Sequence, residues 1–228
     1  MIRAVFFDFD GLILDTEYPH FLSWKEVFEE HGCVLSLQTW AEHTGKGTQN
    51  NPFSPYDLLD TLRGRQLDQN IIRTMRRKRF AELMAAQQLL PGVEALLQEA
   101  NQLSLKVGLV SSSPREWITG YLARFGLTVS FDVILCGDDV RVPKPDPELY
   151  LKALSALEIQ PDQALALEDS AHGVAAAKSA GLFCVAVPNQ VTCISCFDHA
   201  DLTLSSLAEI TFQELLLRVQ QSTSISKL

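Results

Sequence analysis

The 228-residue chain carries a net charge of −9 and is 46% hydrophobic, which suits a globular protein with a real core, as one large domain or two smaller ones. The acidic balance disfavours general nucleic-acid binding, and no apolar stretch approaches the length that spans a bilayer. The five cysteines form no disulfide framework, so reduced thiols are expected, with Cys33, Cys136 and Cys184 buried and Cys193 and Cys196 an incidental pair in a late loop. Met1 leads straight into an apolar run with no basic leader, so a cytoplasmic protein is expected. The final Ser226-Lys227-Leu228 matches a peroxisomal address, which acts only in a host with that import route.

The first element is a buried strand over residues 3–8. Residues 15–88 then carry helical periodicity and no convincing strand. Within them an amphipathic helix around Phe21–Phe28 stops near Gly32, and a long helix runs from a cap at Asp68 to Leu89. Basic and acidic residues nearly cancel over 15–90, so the acidic excess lies elsewhere. After Pro91-Gly92, strands and helices alternate: Lys106–Val110 strand, Pro114–Phe125 helix, Asp132–Cys136 strand, Asp146–Leu157 helix, Ala164–Leu167 strand, Gly173–Ala180 helix and Phe183–Val187 strand. Such alternation predicts an α/β fold, a parallel sheet covered by helices and interrupted after its first strand by a helical block.

The chemistry gathers where apolar runs stop. The first ends in Asp8-Phe9-Asp10-Gly11, two carboxylates at the mouth of a sheet, with Gly11 letting backbone approach a ligand. Carboxylates held together repel unless a cation or shared proton intervenes, and magnesium suits that role beside phosphate. A second run ends in Val110-Ser111-Ser112-Ser113-Pro114-Arg115-Glu116, where Ser113 reads as the cap of a following helix and Ser111 stands at the strand end. Lys144 sits between Pro143 and Pro145, either fixed for a purpose or an ordinary surface lysine. A third run, Leu165-Ala166-Leu167, ends in Glu168-Asp169-Ser170, where Asp169 is a metal-ligand candidate or a helix cap. His172 lies nearby and is expected to be structural.

Taken in order, these four motifs resemble those of the haloacid dehalogenase superfamily. The Asp15-Thr16 pair after Asp8-Phe9-Asp10-Gly11 resembles its β-phosphoglucomutase-like branch. The resemblance covers nearly the whole chain, strongly in the core and loosely in the helical block. It implies a Rossmann-like core of residues 1–14 and 91–228 with an inserted α-helical cap of residues 15–90. It also implies Asp8 as nucleophile, Asp10 as acid and base, and Ser111, Ser112 and Lys144 as phosphate-binding residues. Mg2+ would be held by Asp8, the backbone carbonyl of Asp10, Glu168 and Asp169. The implied activity is hydrolysis of small phosphomonoesters through an aspartyl-phosphate. The alternatives are a phosphosugar mutase, or a phospho-accepting switch domain without turnover.

In the cap, His20 with Trp24-Lys25 resembles the first cap helix of the mutases, and is otherwise a helix-surface histidine. Lys46, in the loop Thr44–Asn50, is a second candidate substrate contact. The mutases place an arginine shortly after this loop's glycine. Here Thr48 or Asn50 stands there, which favours a phosphatase unless the run Arg76-Arg77-Lys78-Arg79 substitutes. We expect a monomer acting on a small phosphorylated metabolite, with neither nucleic acid nor membrane as partner.

Overall fold

The computed structural model describes residues 1–44 and 53–225, so Lys46, with the rest of residues 45–52, and the last three residues lie outside the described residues. The strands are β1 (Ala4–Phe7), β2 (Lys106–Val110), β3 (Val133–Leu135), β4 (Ala164–Glu168), β5 (Phe183–Ala186) and β6 (Leu202–Thr203). They form one parallel sheet in the order β3-β2-β1-β4-β5-β6. β1 lies between β2 and β4, with Phe7 opposite both Leu109 and Leu167. The three motif-bearing loops therefore leave the same edge of the sheet side by side.

Before β2 the helices are α1 (Glu17–Glu30), α2 (Leu37–Thr44), α3 (Pro55–Arg63), α4 (Gln69–Ala86) and α5 (Val93–Gln102). After it come α6 (Arg115–Arg124), α7 (Glu148–Leu157), α8 (Ala171–Ser179) and α9 (Phe212–Ile225). Strand alternation divides the core between two faces. Val5 and Phe7 pack with Leu96, Ile118 and Phe212 of α5, α6 and α9. Ala4 and Phe6 pack with Tyr150 and Ala177 of α7 and α8.

Helices α1 to α4 bury a separate aromatic core that includes Phe21, Trp24, Phe28, Trp40 and Leu59. Asp68 caps α4 as expected, its carboxylate accepting from the backbone of Asn70 and Ile71. The helix ends at Ala86 rather than Leu89, because Leu89 leaves it to bridge Leu14 in antiparallel fashion. Both connections to the helical insertion thus run side by side. Helix α5 and the β6–α9 segment have no counterpart among the elements expected from the sequence. Cys33 is half-buried rather than buried, whereas Cys136 and Cys184 are buried and Cys193 and Cys196 exposed. No helix among the described residues is long and apolar enough to cross a membrane.

Candidate active site

At the centre of the sheet edge, one lysine serves two carboxylates. Lys144 Nζ donates to Asp8 Oδ1 and Glu168 Oε1, each at 2.6 Å, and to the Val110 carbonyl at 2.7 Å. Its side chain is 6% exposed, so the surface-lysine reading is excluded. Burial alone would lower the ammonium's pKa, but Asp8 and Glu168 outweigh it and hold Lys144 above the ordinary lysine value. Glu168 Oε1 also accepts from the Tyr150 hydroxyl. Asp169 is free of helix capping, because Ser170 caps α8 by accepting from Gly173 N–H at 3.1 Å.

Asp8, Glu168 and Asp169 each place a carboxylate oxygen within 4.8 Å of the others, all three residues being buried. Burial pushes Asp8 up to about 8, with Lys144 opposing and Glu168 and Asp10 adding to the rise. Burial also holds Asp169 well above the usual carboxylate range, with Asp8, Glu17 and Glu168 raising it further. A single ammonium leaves this cluster short of positive charge, and Glu168 Oε2 is buried without a hydrogen-bond partner. Hard oxygen donors in a charge-deficient pocket fit a divalent cation such as Mg2+.

Asp10 stands apart from the cluster. Its Oδ2 accepts from the Ser113 hydroxyl at 2.5 Å and from the Ser111 hydroxyl at 3.4 Å, and its Oδ1 from the Trp117 indole N–H at 2.9 Å. The expected capping role of Ser113 is therefore corrected. The cap residue of α6 is Pro114, which has no side-chain donor or acceptor, and Asp138 instead accepts from Arg115 N–H at 2.5 Å. Ser111 is buried at the end of β2 with its hydroxyl toward Asp10, while the Ser112 hydroxyl accepts from Lys144 N–H at 3.2 Å and braces the lysine loop.

The cleft is lined by Asp8, Asp10, Lys144, Asp169 and the serines 111–113, with Glu17, Ser170, His172 and Thr192 completing its wall. Gly11 has φ +76°, and a Cβ there would lie 2.1 Å from Asp169 Oδ2, so both the turn and the carboxylate require glycine. Asn189, after β5, donates to Asp169 Oδ2 at 2.8 Å. Glu17 opens α1, and burial, followed by Asp10 and Asp15, pushes its pKa up to about 7. Sequence reasoning missed Asn189, Glu17, Tyr150 and Trp117. Only Glu17 had a local signal, lying directly after Asp15-Thr16.

His20 is not a helix-surface residue. It packs edge-on against Trp40 at 5.3 Å and tilted against Phe80 at 5.5 Å, and burial, then Arg76, lowers its pKa to about 4. The basic run on α4 divides. Arg79 pairs with Glu26 at 2.6 Å and ties α4 to α1, whereas the Arg76 guanidinium lies over Trp24 at 5.4 Å, with Nε and Nη1 buried and unpartnered.

A parallel sheet that delivers an acidic, cation-seeking centre and one buried lysine to a cleft beside a helical insertion defines a capped α/β enzyme. Residues 5–187 match the haloacid dehalogenase-like hydrolase family, and the chain belongs to it. A Bacillus subtilis protein named "Putative phosphatase YhcW" is 45% identical over 216 residues, covering 95% of this chain and 97% of the relative. A "Phosphorylated carbohydrates phosphatase" of Thermotoga maritima is 32% identical, covering 79% and 82%. A β-phosphoglucomutase of Bacillus subtilis is 28% identical, covering 94% of each. Among solved structures, CbbY from Rhodobacter sphaeroides in complex with phosphate aligns with TM-score 0.69 at 31% identity, over 92% of this chain and 96% of that one.

Proposed function

We propose that this enzyme hydrolyses small phosphomonoesters, sugar or related metabolite phosphates, through a phosphoenzyme on Asp8. The observation that carries this reading is the pairing of Asp8 with Lys144 inside the buried carboxylate cluster, at the floor of a cleft rimmed by serines. Lys144 occupies Asp8 Oδ1, which leaves Oδ2 to attack phosphorus. As the Asp8 O–P bond forms, the ester P–O bond breaks and Asp10 gives its proton to the leaving oxygen. Water then gives a proton to Asp10 as it attacks phosphorus, the Asp8 O–P bond breaks, and inorganic phosphate leaves. Ser111 and the Ser112 backbone, which line the cleft, would bind phosphoryl oxygens, and Lys144 would offset negative charge on them. Mg2+, held by Asp8, Asp169, Glu168 and the Asp10 carbonyl, would supply electrostatic relief between nucleophile and phosphate. Glu17 lines the cleft from the cap side, where the leaving group would lie, and the named activities of the relatives support a carbohydrate there.

The test is phosphate release from a panel of phosphorylated metabolites, with and without a bisphosphorylated sugar. Asp8→Asn should abolish turnover while the chain still folds and melts cooperatively. Retained activity in that variant would reject the phosphoenzyme, and absence of catalytic turnover on every ester would favour a phospho-accepting switch. The mutase alternative draws on Arg76, whose buried Nε and Nη1 have no hydrogen-bond partner and would be the grip for a second phosphate. Interconversion of β-glucose 1-phosphate and glucose 6-phosphate faster than phosphate release would establish it.

A further inference from the structure

Trp117 lies on the core helix α6, yet its two contacts of consequence reach outside that helix. Its indole N–H fixes Asp10 Oδ1, and its ring stacks on Phe80 of cap helix α4, with centroids 6.0 Å apart and planes 11° from parallel. Tyr121 holds the same ring edge-on at 4.8 Å. Phe80 in turn meets His20 of α1 and lies 5.8 Å from the Arg76 guanidinium. A continuous line of contact therefore runs from His20 of the cap through Phe80 and Trp117 to Asp10.

The donors on the two Asp10 oxygens differ in kind. The Ser113 hydroxyl on Oδ2 can rotate and accept instead of donate, whereas the indole N–H on Oδ1 can only donate. The indole N–H therefore pins Oδ1, while the partner of Oδ2 can turn away from it. The same two helices are joined again further along. Arg124 at the end of α6 donates to the carbonyls of Met84 and Ala85 at 2.8 Å and of Gln87 at 2.7 Å, at the end of α4. With that end tied, a change in the angle between α4 and α6 is taken up at the Phe80–Trp117 contact.

We infer that Trp117 is a positioning residue that aims Oδ2 of Asp10 at the leaving oxygen and links that aim to the seating of the cap through Phe80. The inference rests on the assignment of Asp10 as acid and base. Its signature is a dependence on the leaving group, since an alkoxide needs a proton and 4-nitrophenolate does not.

Single-turnover rates of leaving-group release, with enzyme in excess and Mg2+ present, are to be compared for 4-nitrophenyl phosphate and glucose 6-phosphate. Trp117→Phe keeps an aromatic ring and deletes the N–H. It should slow glucose release about tenfold while nitrophenol release changes less than about twofold, a fraction of the range open to an acid–base group. Phe80→Leu keeps the N–H and removes the stack, and should give a smaller loss of the same selectivity. Equal slowing of both substrates by Trp117→Phe, while Asp10→Asn remains selective, would overturn the positioning role alone. No selectivity in Asp10→Asn would overturn the acid–base reading and this inference with it. Selectivity in Trp117→Phe but none in Phe80→Leu would sever the link to the cap. Should Trp117→Phe fail to fold, Phe80→Leu decides the question, and an unselective Phe80→Leu then rejects the inference.

Discussion

Glu168 is the most confined charged group of the site. One of its oxygens is shared between Lys144 and Tyr150, and the other presses on α8, where a Cβ at Gly173 would lie 1.7 Å from it. Gly173→Ala must therefore displace the carboxylate that orients Lys144. We expect a stability loss of about 3 kcal/mol, the scale of breaking a buried ion pair, together with loss of turnover. Denaturant unfolding and a phosphatase assay on the same preparation check both. Gly120, exposed in the interior of α6 with nothing within 4 Å of an added Cβ, is the control: Gly120→Ala should stabilise by up to about 1 kcal/mol.

At the scale of elements, the seam between α4 and α6 is the join that matters. The carbonyls that close an α-helix lack their full complement of partners within it, and one exposed guanidinium from α6 answers three of them at the end of α4. Because Arg124 is solvated, its removal should cost only about 1–2 kcal/mol, well below the cost at Gly173. Arg124→Ala should nevertheless raise the rate of proteolysis between Gln87 and Leu90, where the helix hands over to the core. Cleavage there at the wild-type rate would show that the carbonyls are held equally well by water.

Two measurements belong to the whole molecule. The carboxylate cluster is raised by burial and mutual repulsion, so a cation that binds only the folded state should stabilise it. A hundredfold excess of Mg2+ over its dissociation constant adds about 2.7 kcal/mol, or roughly 5–10 °C in Tm for a chain of this size. The rise should vanish in Asp169→Asn. The second measurement concerns the cap. His20 is pushed down to about 4 in the folded state from an ordinary 6.5, so between those values the unfolded chain binds the extra proton. Its contribution to stability is complete above about pH 6.5 and is lost as pH falls toward 4, up to roughly 3 kcal/mol. His20→Phe should flatten the slope of stability against pH in that window, and an unchanged slope would show the ring to be solvated.

The carboxylates and serines of the motifs were legible in the sequence because each is local to a strand end. An apolar run that stops in carboxylates or serines declares both the strand and the edge where it delivers its polar groups, whereas Lys144 lies well beyond the end of β3 at Leu135 and was marked only by its flanking prolines. The helical insertion was legible for a related reason, since an uninterrupted helical period cannot join a sheet whose later strands alternate with helices. Short elements such as β6 offered two residues of pattern and could not be read. What the sequence could not decide is convergence. Ser113 carries every local mark of a helix cap, yet the position of β1 beside β2 puts Asp10 within reach, and the Ser113 side chain turns to donate to that carboxyl instead of accepting from the helix's N–H groups. Trp117, Tyr150 and Asn189 reach the site from separate segments with no period or motif to announce them. Gly173 is demanded by a carboxylate five residues earlier that folds back over it. Local chemistry and hydrophobic period are written along the chain, whereas the choice among possible partners depends on which segments the packed sheet brings within hydrogen-bond distance.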